Sequence, residues 1–250
     1  MTGAAQADFS LSVVIPFFNE AEAAFEVVDE VGRELAHLGL SWEGLLVDDG
    51  STDGTAAELE RACVRWPQAR LLRLARNSGQ GAALLRGLAE ARAPVIAMMD
   101  GDGQNVPADF GRLLLLLGPA DLVVGVRTPR NDGWVRRAMS RLANAARQRL
   151  LRDGVRDAGC ALKVFRREVA ACFWPVTMLN PFMPAFAVAA GFTVAELPVR
   201  HRPRRAGRSK YGFRRLLWRP LLDLLALSWM LRRRAPVPRT EAVEEQPVEK

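Results

Sequence analysis

Between residues 11 and 126, short apolar runs alternate with longer amphipathic stretches, and this alternation leaves the chain few folds. Leu11-Ser-Val-Val-Ile-Pro16 reads as a buried strand, and Asn19 to Leu38 as a helix. Leu45-Leu46-Val47 is the next strand, ending in the turn Asp48-Asp49-Gly50-Ser51. Thr52 or Asp53 can cap the helix that follows, to about Val64. Leu71 to Leu74 and Val95 to Met99 are two more strands, with a helix at 80–91 between them. Leu122 to Val126 closes the series after a short helix near 107–117. Strands that are apolar throughout, separated by helices, predict a parallel α/β sheet covered on both faces.

In such sheets the ligand lies beyond the carboxyl ends of the strands. Three places carry polar residues just past a strand: Asn19-Glu20, Asp48-Asp49, and Asp100 to Gln104. The topology predicts that they meet in one crevice.

The later chain divides by charge. Residues 200–234 hold eleven Arg and Lys210 against one acid, Asp223, a net of +11. The whole chain nets +7, so the rest sums to −4. A basic block of this kind suits nucleic acid, an anionic membrane surface or a phosphorylated substrate. No zinc-finger spacing, RNA-binding signature or basic zipper accompanies it, so nucleic acid is not expected. Residues 130–152 read as an Arg-rich helical region, 160–200 as mixed short strands and helices, and Pro203 to Gly212 as a basic loop. Phe213 to Leu231 reads as a helix with Leu216, Leu217, Leu221, Leu224 and Leu225 on one side, kinked by Pro220. Its apolar part is shorter than the ~18–20 residues that span a bilayer. Flanked by Arg214, Arg215, Arg219 and Arg232 to Arg234, it is expected at a membrane surface, with Trp218 and Trp229 as core aromatics or interfacial anchors.

The expected organisation is an extension at 1–10, a sheet domain at 11–212, the basic amphipathic helix at 213–234 and a disordered tail at 235–250. At 250 residues and 49% hydrophobic, the chain can bury one substantial core. Cys63, Cys160 and Cys172 are odd in number and widely spaced, which fits reduced thiols. Met1 to Phe9 lacks a basic and an apolar stretch, so no signal peptide is expected. Both features suggest a protein working inside the cell.

Asp100 and Asp102 flank Gly101 directly after a strand, and two carboxylates so spaced can bind one hard divalent cation. Such a cation can neutralise a diphosphate leaving group. Gly101 and Gly103 permit close ligand approach, and Gln104 adds a neutral oxygen. Alone, this pattern equally suits a solvated, helix-capping loop. The run from Val47 to Thr55, VDDGSTDGT, is less easily bland, since a plain strand–turn–helix explains Asp53 and the glycines but not two further acids. One of those acids could accept from a base N–H or a ribose hydroxyl. His37 reads as a surface residue, His201 as structural with phosphate contact the alternative, and Cys160 as packing.

The segments SVVIPFFNE (12–20), VDDGSTDGT and MMDGDGQN together resemble the family-2 glycosyltransferases, and so imply the GT-A fold. Val124-Gly-Val-Arg127, Arg156-Asp-Ala-Gly-Cys160 and the stretch from His201 to Tyr211 resemble the polyprenyl-phosphate sugar transferases within that family, dolichol-phosphate mannosyltransferases included. The resemblance spans about 11–234. It implies nucleotide-sugar contacts at Pro16, Phe18, Glu20, Val47, Asp49, Asp100, Gly101 and Asp102. It also implies Mg2+ or Mn2+ held by Asp100, Asp102 and Gln104. Arg127, Arg204 and Lys210 match positions that contact the donor or its phosphates. Arg136, beside Arg137, and Ser140 match residues that hold the acceptor phosphate. Phe18 stands where the mannosyltransferases usually carry Tyr, and DAGC replaces a proline-containing DPxSG-like segment.

The implied function is inverting transfer of a hexosyl group from a UDP- or GDP-linked sugar to a polyprenyl phosphate, by a peripheral enzyme at the cytoplasmic membrane face. A phosphate acceptor is already ionised near neutral pH, so attack needs chiefly positioning and charge neutralisation. Arg and Lys supply both, Arg by binding two oxygens at once. The competing expectations are transfer to a sugar hydroxyl, which needs a base carboxylate, and a non-catalytic nucleotide-binding protein associated with the membrane. The Q-x-x-R-W segment usual in processive synthases is absent from the sequence.

Overall fold

The computed structural model describes residues 9–128, 144–145, 147–203 and 215–233, with side chains of the last helix described from Leu222. The expected alternation is present: β1 (Leu11–Phe17), α1 (Ala21–His37), β2 (Trp42–Asp48), α2 (Thr55–Arg65), β3 (Ala69–Arg73) and α3 (Gln80–Glu90). Then come β4 (Val95–Met98), a 3-10 turn at Pro107–Asp109, α4 (Phe110–Leu116) and β5 (Leu122–Arg127). Residues 147–151 are helical. β6 (Lys163–Arg166), a 3-10 stretch (Arg167–Cys172), α5 (Leu179–Ala189), β7 (Val194–Val199) and α6 (Arg215–Arg232) complete the chain.

The seven strands form one sheet in the order β3-β2-β1-β4-β6-β5-β7. All pairs are parallel except those of β6, which runs antiparallel between β4 and β5. The expectation of a purely parallel first half therefore holds for β1 to β4, whereas β5 is separated from β4 by a later strand. Alternate side chains of each strand leave on opposite faces. Val13, Ile15, Leu46, Ala97 and Val123 pack under α1, α2 and α4. Val14, Leu45, Val47, Ile96, Val124 and Phe165 pack under α3, α5 and the buried side of α6. Burial on both faces is why these strands read as continuous apolar runs.

Helix α6 continues through Pro220. Leu224 and Leu227 are buried, while Leu222, Leu225, Trp229 and Met230 are exposed. The expected single leucine side is thus divided, with Leu224 facing the core and Leu225 outward. Among the described residues, no helix is long and apolar enough to cross a membrane.

Candidate functional site

The order β2-β1-β4 puts three strand ends side by side; the turns after β1 and β2 are hydrogen-bonded to each other, and the turn after β4 packs against β1. The Asp49 N–H donates to the Phe17 carbonyl at 2.8 Å. The Asn19 N–H donates to Ser51 Oγ at 2.9 Å, and Thr52 N–H donates back to Asn19 Oδ1 at 2.8 Å. The Glu20 N–H donates to Thr55 Oγ1 at 2.8 Å, and Asp53 accepts from the Thr55 N–H at 2.9 Å. The N-cap of α2 is Gly54, not Thr52 or Asp53 as expected, and Asp53 shapes the turn from one position before it. Gly101 lies against β1, where a Cβ would sit 2.8 Å from the Pro16 carbonyl and inside the Phe17 ring's space. Only a residue without a side chain fits there.

Val47 is a buried residue near the end of β2, and Asp48 and Asp49 follow, both buried. Asp48 Oδ1 accepts from the Ser51 N–H at 3.0 Å and so shapes the turn. The Asp49 carboxylate accepts from the N–H groups of Ser78 (2.7 Å) and Gly79 (2.9 Å) and from Asn77 Nδ2 (3.0 Å). Gly50 adopts φ +68°, and a Cβ there would lie 2.5 Å from the Arg76 backbone. The acid singled out for base or ribose recognition therefore also fastens the segment leading into α3.

Asp100 is half-buried and Asp102 is buried. Gln80 Nε2 donates to Asp100 Oδ1 at 2.6 Å, and the Asp100 N–H donates to Asn105 Oδ1 at 3.1 Å. The Gln104 N–H donates to Asp102 Oδ1 at 3.1 Å. The Gln104 amide nitrogen is 3.4 Å from the Arg202 carbonyl, which directs its oxygen elsewhere. The Asp100 carboxyl is pushed up to about 6, chiefly by burial and next by the Asp102 charge; Lys163, Gln80 and Arg127 act against the rise. The Asp100 and Asp102 carboxylates are hard oxygen donors of the kind that suits Mg2+ or Mn2+. A divalent cation would also relieve the repulsion that raises Asp100.

Arg127, at the end of β5, meets Asp157 through Nε at 2.8 Å and a terminal nitrogen at 2.7 Å. Its own N–H donates to the same carboxylate at 3.1 Å. Arg136, Ser140, Arg204 and Lys210 lie outside the described residues. The start of the basic stretch is nevertheless visible. His201 bridges to Asn105, the Arg202 N–H donates to the Gln104 carbonyl at 2.9 Å, and the Arg202 guanidinium pairs with Glu30 at 2.9 Å. The acidic turn and the entry to the basic loop are joined directly.

Sequence reasoning missed Gln80, Asn77 and Lys163. Lys163 lies fully buried on β6 and donates to the carbonyls of Ala158 and Cys160 and to Asn180 Oδ1. Burial pushes its pKa down to about 8, against the charges of Cys160, Asp100 and Asp157. A Lys inside the apolar run Ala161 to Phe165 was its signal. Cys160 is buried and its thiol is pushed up to about 11 by that burial, in keeping with a packing role.

The chain is similar to known proteins in sequence and in fold. The chain is 36% identical over 231 residues to a dodecaprenyl-phosphate galacturonate synthase of Rhizobium johnstonii, covering 90% of this chain and 68% of that one. It is 34% identical over 210 residues to an undecaprenyl-phosphate 4-deoxy-4-formamido-L-arabinose transferase of Edwardsiella ictaluri, covering 83% and 64%. Among solved structures, a mannosyltransferase from Pyrobaculum calidifontis in complex with GDP-Man and Mn2+ superposes with a TM-score of 0.65 at 20% identity, covering 93% and 67%. That likeness identifies the fold as GT-A. Residues 12–174 match the glycosyl transferase family 2, and the chain belongs to that family.

Proposed function

We propose that this enzyme transfers a hexosyl group from a nucleotide diphosphate sugar to a polyprenyl phosphate. The observation that carries the reading is the junction of the Asp100–Gln104 turn with the end of β1, which is itself bonded to the turn after β2. Pro16, Phe18, Glu20, Val47 and Asp49 are assigned to the nucleotide sugar on the strength of their motifs. Both curated relatives are named for sugar transfer to a polyprenyl phosphate, and they differ in the sugar named.

Asp100, Asp102 and Gln104 would hold Mg2+ or Mn2+, which when bound supplies positive charge to the leaving diphosphate. The chain's own residues do the rest. Asp49 holds the 77–79 segment and stands at the end of β2, where it can accept from a base N–H or a ribose hydroxyl. Asp157 fixes the plane of the Arg127 guanidinium, so that cation meets phosphate oxygens without first losing side-chain freedom. Arg136, Ser140, Arg204 and Lys210 are assigned to the phosphates on the strength of their motifs. A phosphate monoester needs no base to ionise it, so the basic residues position the acceptor and screen its repulsion from the donor.

The protein is further assigned to the cytoplasmic membrane face as a peripheral enzyme. The exposed Leu222, Leu225, Trp229 and Met230, beside Arg232 and Arg233, support this. The Arg233 guanidinium lies 4.9 Å from the centre of the Trp229 ring.

Incubation with polyprenyl phosphate, UDP- or GDP-linked sugars and Mg2+ or Mn2+ should yield a charged glycolipid and nucleotide diphosphate. Asp102→Ala should abolish that turnover while leaving the fold intact. Transfer only to sugar hydroxyls, or full activity in Asp102→Ala, overturns the reading.

A further inference from the structure

Residues 77–80 form a brace between Asp49 after β2 and Asp100 after β4. At one end, Asp49 accepts from Asn77 Nδ2 and from the N–H groups of Ser78 and Gly79. At the other, Gln80, the first residue of α3, donates from Nε2 to Asp100 Oδ1 at 2.6 Å. The segment has little freedom to shift. A Cβ on Gly50 would lie 2.6 Å from the Asn77 nitrogen, and a Cβ on Gly81 would lie 2.5 Å from the Val176 carbonyl. The brace is therefore clamped on the turn after β2 and on the backbone before α5.

We propose that Gln80 is a positioning residue for the cation. By taking Oδ1 of Asp100 it fixes the rotation of that carboxylate, and it ties the cation's place to the segment that Asp49 holds. This rests on the metal reading of Asp100 and Asp102 given above. Three physical points support it. A carboxylate on two free torsions loses entropy when it ligates, and a fixed partner removes that loss in advance. Carboxylates that ligate metals are commonly hydrogen-bonded by a second layer of residues, and losing such a partner costs about 10–100-fold in metal affinity. The amide donates without carrying charge, whereas a Lys or Arg at the same place would repel the cation it is meant to help seat. A purely local role, supporting the start of α3, would affect stability and leave cation affinity alone.

The two roles separate in a binding measurement that needs no turnover. Mn2+ uptake by the full chain in the presence of UDP or GDP is followed by electron paramagnetic resonance. Nucleotide affinity without metal and Tm are measured in parallel. Gln80→Met keeps the length and removes the donor; Gln80→Asn keeps the amide and withdraws its reach. In both, the Mn2+ Kd should rise at least about tenfold, with metal-free nucleotide affinity and Tm close to wild type. Wild-type Mn2+ affinity in either folded variant overturns the inference alone. A wild-type chain that takes up no more Mn2+ than Asp102→Ala overturns both this inference and the metal reading beneath it.

Discussion

Arg127 and Asp157 meet as a fork on a fork, with two side-chain bonds of 2.8 and 2.7 Å and a backbone bond of 3.1 Å to the same carboxylate. The pair joins the end of β5 to the segment that precedes β6. Asp157 is almost wholly buried, whereas Arg127 keeps a quarter of its side chain in contact with solvent. Such an arrangement aims a cation that is still reachable. Asp157→Asn retains the shape but breaks the bidentate charge pairing. It should lower stability by about 2 kcal/mol, less than a fully buried pair would cost, because Arg127 can turn to water. Turnover should fall at least about tenfold through loss of orientation. Urea denaturation and nucleotide diphosphate release measure the two effects.

Gly101→Ala tests the close approach of the acidic turn to β1. The added methyl would meet the Pro16 carbonyl and the Phe17 ring, so the turn must move outward. Overpacking of this kind costs about 1–3 kcal/mol. Because Asp100 and Asp102 flank the displaced residue, Mn2+ affinity should drop as well. A variant with wild-type stability and wild-type metal uptake would show that the contact is not tight.

Asp49→Ala removes the acceptor of three hydrogen bonds at once and leaves the Ser78 and Gly79 N–H groups without it. Stability should fall by about 3 kcal/mol, since each orphaned donor costs roughly 1–3 kcal/mol if water cannot reach it. Nucleotide binding should weaken in the same variant, read by isothermal titration without metal. Asp48→Ala is the control: Asp48 accepts from Ser51 within its own turn and lies 3.4 Å from Arg73. It should lose stability with a smaller effect on the nucleotide.

The parts that the sequence foretold are those governed by a period or a spacing. Val13, Ile15 and Val14 alternate between two cores, which is why β1 reads as an unbroken apolar run. The acids after β2 and β4 follow from the rule that ligands gather at the carboxyl ends of parallel strands. What escaped is set by the path of the chain in space. Nothing in Lys163-Val-Phe-Arg166 states that it runs antiparallel between β4 and β5. Gln80 is a single amide at the start of a helix, and only the neighbouring strand end gives it Asp100 as a partner. Asp157 finds Arg127 from 30 residues away, a pairing that neither residue announces.

Lys163 offers the strongest test of the buried interior. It donates to the carbonyls of Ala158 and Cys160 and to Asn180 Oδ1, and so fastens the segment bearing Asp157 to β6 and α5. Lys163→Met matches its length and leaves those acceptors without their donor, which should cost about 3 kcal/mol at pH 7. The pH dependence has a defined sign. Burial pushes Lys163 down to about 8 from its ordinary 10.5. Between those values the unfolded chain carries a proton that the folded chain has given up, so raising the pH favours folding. The stability of the wild type relative to Lys163→Met should therefore be level below about pH 8, rise through the window, and level again above about 10.5. Urea unfolding of both proteins from pH 7 to about 10.5 measures the difference, in which titrations that Lys163 does not influence cancel. A difference that stays flat, or that shrinks as the pH rises, would mean that Lys163 reaches solvent and is not held in the dry interior between β4 and β5.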